Sequence, residues 1–71
     1  MLSMSELDAQ FEIQMRQEFG DDIVSFSIEN RVLDARGGQL SMLYSFAFMR
    51  EAWVADNMYS GLESIWIPIL N

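Results

Sequence analysis

The sequence predicts an α+β domain, and three stretches carry that prediction. Leu7, Phe11, Met15 and Phe19 recur every four residues, the spacing of a helix with one buried stripe. From Leu40 to Phe48, Leu40, Met42, Tyr44, Phe46 and Phe48 alternate with Ser41, Leu43, Ser45 and Ala47, the two-residue period of a strand. Before that strand, Arg36-Gly37-Gly38 supplies two glycines able to adopt positive φ, the chain's clearest turn signal. The expected order is an N-terminal amphipathic helix, an antiparallel meander of two or three strands, a second helix, and an extended apolar C-terminal tail or edge strand.

The first helix is expected over Ser3 to Phe19. Ser3 with Glu6 three residues on fits a capping box, and Gly20 fits the stop position after the last turn. Met4 falls on the side of the apolar stripe; Ile13 falls off it, which implies either a wide buried face or an exposed contact residue. Glu12 and Arg16 have the spacing of an ion pair on the outer face. After the polar turn Asp21-Asp22, Val24, Phe26 and Ile28 alternate with serines and Glu29 as a half-buried strand does. Glu29-Asn30 reads as a turn or a bulge, since Val32 and Leu33 restart an apolar pair.

Strand Leu40–Phe48, the most apolar, is expected at the centre of the sheet. A single helix over Gln39 to Tyr59 is the competing reading of this region. A second helix of about three turns follows over Arg50 to Tyr59, with Trp53, Val54 and Met58 facing inward, Glu51 in its first turn and Gly61 ending it. In the closing run Ser64 to Leu70, Pro68 cannot donate to a ladder, which restricts that segment to an edge or a tail. The order helix, strands, helix is similar to that of double-stranded-RNA-binding domains, but the basic residues such a domain needs are missing here, and its function is not carried over.

Seventy-one residues imply one domain, 1–71, near the lower size limit for a core that holds without staples. Cys and His are absent, so neither disulfides nor the usual transition-metal ligands are available, and no cofactor is expected. Half the chain is hydrophobic (51%), which predicts a homodimer or higher oligomer covering surplus apolar surface. Eleven acids oppose four arginines for a net charge of −7. Six of those acids and only Arg16 precede Ile23, so −5 of the total sits in the first 22 residues. Such a chain repels nucleic acid and anionic membrane, because phosphate binding needs Lys or Arg to displace counterions. No basic leader or long apolar run is visible, and a cytoplasmic protein is expected.

Glycine-rich phosphate loops, GxSxG, HExxH and Cys- or His-based nucleophile arrangements are missing, so no enzyme is expected. What remains is a small acidic protein–protein interaction protein. It would inhibit or regulate a larger partner by occupying that partner's basic, nucleic-acid-binding surface. Phage and mobile-element anti-defence proteins, including anti-CRISPR proteins, are of this general type. The alternative is a structural or assembly subunit stabilised by homo-oligomerisation. The partner-binding residues expected are Glu12, Glu18, Asp21 and Asp22 on the first helix and its turn, together with Trp66. Trp66 sits on an apolar edge and reads equally as core or as interface anchor. Asp34 and Asp56 are expected to lie outside the acidic cluster.

Overall fold

The run from Gln39 to Arg50 is the spine of the fold. A computed structural model describes residues 3–56 and 61–69. It contains α1 (Met4–Phe19), β1 (Ile23–Arg36), β2 (Gln39–Arg50), α2 (Glu51–Ala55) and β3 (Gly61–Pro68). The strands form one antiparallel sheet in the order β1-β2-β3, with β2 central. The α+β meander is therefore the fold of this chain, and the single helix over 39–59 is not. The hairpin explains why: Gly37 and Gly38 both have positive φ (57° and 79°), the requirement of a tight two-residue turn, and Arg36 pairs with Gln39 across it.

Met42, Tyr44, Phe46 and Phe48 of β2 are buried beneath α1, which contributes Phe11 and Met15 to the same cluster. Phe46 lies at the centre of a set of rings, 5.2 Å from Phe11, 5.6 Å from Phe26 and 6.1 Å from Phe48 between centroids. Phe11 also stacks on Tyr44 at 4.0 Å. Each such side chain contributes about 1.5–3 kcal/mol on burial.

The capping box at Ser3 and Glu6 is formed, and Gly20 (φ 110°) ends α1 with its N–H on the Arg16 carbonyl at 3.0 Å. Leu7 and Phe19 pack on the core as the stripe requires. Met4 does not; it is 49% exposed. Ile13 is exposed at 57% and is a surface residue.

At Glu29 a β-bulge shifts the register between Ile28 and Asn30. Its effect is to exchange the faces of β1. Phe26 and Ile28 point to the helix side before it, and Arg31, Leu33 and Ala35 align with helix-side β2 residues after it. Pro68 ends edge strand β3, and pairing continues past it through the Ile69 N–H to the Leu40 carbonyl at 2.8 Å. Alternation along the strand turns the Pro68 nitrogen outward, so its missing N–H costs no ladder bond.

The second helix is shorter than its sequence pattern implies. Among the described residues it spans only Glu51–Ala55; Asn57, Met58 and Tyr59 lie outside them. Trp53 packs on Phe48 at 5.4 Å, but Val54, expected inward, is exposed. A five-residue helix has room to turn one side chain toward the core, and Trp53 fills that place. Among the described residues, no helix is long and apolar enough to cross a membrane.

Asp8 ties α1 to the sheet. It accepts a forked pair from Arg31, at 2.9 and 2.6 Å, and the Tyr44 hydroxyl donates to it at 3.1 Å. Arg31 and Tyr44 are cross-strand partners, so one carboxylate bridges helix, edge strand and central strand. The guanidinium holds the Asp8 carboxyl below its ordinary value of 3.8. Burial, aided by the bond to Asp8, pushes the Tyr44 hydroxyl up to about 12. The lowered carboxyl stabilises the fold above pH about 4, and that contribution is lost as pH falls further. The raised phenol contributes fully below pH about 10 and is lost as pH climbs toward about 12. Denaturant titrations across pH should show both legs in the parent. Asp8→Asn should flatten the acid leg and cost about 1–2 kcal/mol at neutral pH. Tyr44→Phe should flatten the alkaline leg; an unchanged alkaline leg would remove Tyr44 from this role.

Candidate interaction surface

Three ion pairs neutralise Glu12, Asp8 and Asp22, through Arg16 (3.0 Å), Arg31 (2.6 Å) and Arg50 (2.8 Å). The fourth arginine, Arg36, lies over the Trp66 ring at 4.3 Å. Eight acids are left without a basic partner among the described residues: Glu6, Glu18, Asp21, Glu29, Asp34, Glu51, Asp56 and Glu63.

Their placement follows from the hairpin. Pairing Ile23 with Arg50 brings the start of β1 to the end of β2, and the Glu51 N–H donates to the Asp22 carbonyl at 2.8 Å. One end of the molecule therefore carries the last turn of α1, the turn after it and α2. Glu18, Asp21, Asp22, Glu51 and Asp56 meet Arg50 there, and Arg16, whose guanidinium donates to the Ile23 carbonyl at 3.2 Å, is neutralised by Glu12, giving −4 of the total −7. Helix α2 spans about 7.5 Å at 1.5 Å per residue, so Glu51 at its start and Asp56 just past its end fall within about one Debye length, ~10 Å at 0.1 M salt.

Of the residues expected to bind a partner, Glu18 and Asp21 are exposed at this pole. Asp22 is there too, but its carboxylate is engaged by Arg50. Glu12 lies farther along α1 and is held by Arg16. Trp66 is not part of the group. It pairs with Leu43, whose other neighbour is Val32, ten residues along β1 from Asp22. That separation is about 33 Å at 3.3 Å per residue, and on the sheet face away from α1.

Glu51 and Asp56 are the residues that sequence reasoning left out of the cluster. Asp56 was expected outside it, and the fold places it inside. The signal was present: counting outward from Gly37-Gly38 leads from Arg36 to the start of β1 and from Gln39 to the end of β2, and so to Glu51.

The face of the sheet away from α1 is open among the described residues. Its rows run across three strands: Val32–Leu43–Trp66, then Asn30–Ser45–Ser64, then Ser27–Ala47–Leu62. The Ser45 and Ser64 hydroxyls are bonded at 3.1 Å. A hollow of about 220 Å³ lies between α1 and β3, lined by Leu7, Phe11, Tyr44, Ile67 and Ile69 among others. Among the described residues Tyr44 is its one titratable wall residue, and its hydroxyl is committed to Asp8. Among the described residues no three His, Cys, Asp or Glu side chains converge as metal ligands. Comparison with protein-family models, with curated proteins and with solved structures gives no match.

Proposed function

We propose that this protein is a small acidic inhibitor or regulator that docks its −4 pole on the basic, nucleic-acid-binding surface of a larger protein. The observation that carries this reading is the concentration of charge: more than half the net charge sits at one end, formed by two separate chain segments. A charge serving solubility alone needs no such focusing. The pole presents carboxylates where a nucleic acid would present phosphates. Those carboxylates would speed encounter and orient the complex.

The test is affinity capture from a host lysate on the immobilised protein, followed by competition. The retained partner should be a nucleic-acid-binding protein, released both by rising salt and by an added oligonucleotide at constant salt. A retained partner indifferent to the oligonucleotide would contradict the reading.

A further inference from the structure

We infer that the open face of the sheet is a homodimer interface, formed by two copies packed face to face with their acidic poles at opposite ends. This inference stands apart from the role of the pole itself. Two chains of charge −7 must meet where their acids are not. The open face offers that. Away from Asp34 and Arg36 at the hairpin end, and Glu29 drawn to the Ser27 hydroxyl at the β1 edge, its rows hold only Ser, Asn, Ala, Val, Leu, Met and Trp. Val32 and Leu62 stand 44% and 67% exposed on it.

The symmetry follows from the rows. A two-fold axis lying in the interface across the strands, through the Asn30–Ser45–Ser64 row, sets each copy's Val32–Leu43–Trp66 ridge against the other's Ser27–Ala47–Leu62 row. Val32 then meets Ser27 and Leu43 meets Ala47, large against small, while Trp66 meets Leu62, as aligned sheets pack. Arg36 stays with Trp66 on that ridge, its guanidinium 4.3 Å from the ring, and has no carboxylate partner among the described residues of its own chain. Glu29 meets its counterpart only at the solvated rim, where salt screens it. An axis along the strands would instead set two −4 poles side by side. The molecule measures 43 × 17 × 17 Å, so one flat side spans about 700 Å² and a pair buries about 1,400 Å², within the range of specific interfaces.

Sedimentation and crosslinking test this. The parent should sediment at twice 8.2 kDa at micromolar concentration. Val32→Glu with Leu62→Glu should sediment as a monomer with unchanged circular dichroism, while Ile13→Glu on the outer face of α1 should stay dimeric. The chain has no cysteine, so single cysteines report geometry cleanly. Sheets pack about 10 Å apart, so Ser45→Cys, on the axis, should crosslink to its counterpart through a short bismaleimide. Met49→Cys should not, because its copies lie about 27 Å apart along the strands. A parent at 8.2 kDa throughout, loss of the dimer in Ile13→Glu alone, or ready crosslinking at position 49 would each overturn the inference.

Discussion

Phe46→Ala is expected to leave the chain unfolded at room temperature. Phe46 is 1% exposed and sits among Phe11, Phe19, Phe26 and Phe48, so its loss removes the ring on which helix and both long strands converge. Truncating a buried phenylalanine costs about 3–5 kcal/mol, the transfer of the ring plus the cavity left behind. A core of this size with no disulfide rarely supplies more than about 3–5 kcal/mol in total. The two figures are equal, so nothing is left to hold the fold. Phe46→Leu, which refills most of the volume, should cost about 1–2 kcal/mol and remain folded. Thermal melts by circular dichroism distinguish the two. A cooperative melt of Phe46→Ala near the parent's would mean that β2 is not the spine of the core.

Much of this core could be read directly from the sequence, because period-four and period-two patterns report which side of an element is buried. Leu7-Phe11-Met15-Phe19 and Met42-Tyr44-Phe46-Phe48 are such patterns, and both face the same core. The Glu29 bulge was legible as a break in alternation, though not as the exchange of faces that puts Val32 on the open side. Helix α2 was overextended because Trp53, Val54 and Met58 look periodic on a wheel, while in so short a segment only tertiary contact decides which one is buried. The Asp8–Arg31–Tyr44 bridge was not legible. A buried tyrosine announces that its hydroxyl needs a partner, but nothing local says that the partner lies 36 residues away. The pole was half legible: Glu18, Asp21 and Asp22 are consecutive acids, whereas Glu51 and Asp56 join them only through strand pairing.

On the proposed function, the position of the acidic charge, rather than its amount, drives partner binding. Two triple charge reversals separate these. Glu18→Lys, Asp21→Lys and Asp56→Lys change the pole, and Glu29→Lys, Asp34→Lys and Glu63→Lys change acids elsewhere; each set moves the net charge from −7 to −1. The pole set spares every ion pair, and two of its lysines fall at helix C-terminal ends, where the dipole favours a cation. Both variants should therefore fold. Steered encounters run about 10²–10³-fold faster than unsteered ones at low salt, and screening shortens that reach to about 3 Å at 1 M. The association rate with the captured partner, measured by stopped flow or biosensor from low to high salt, is the decisive quantity. The pole variant should associate about tenfold or more slowly than the parent at low salt and lose its salt dependence, while the second variant keeps most of both. Equal losses in the two variants would show that net charge alone matters, and parent-like rates in both would contradict any role for the pole.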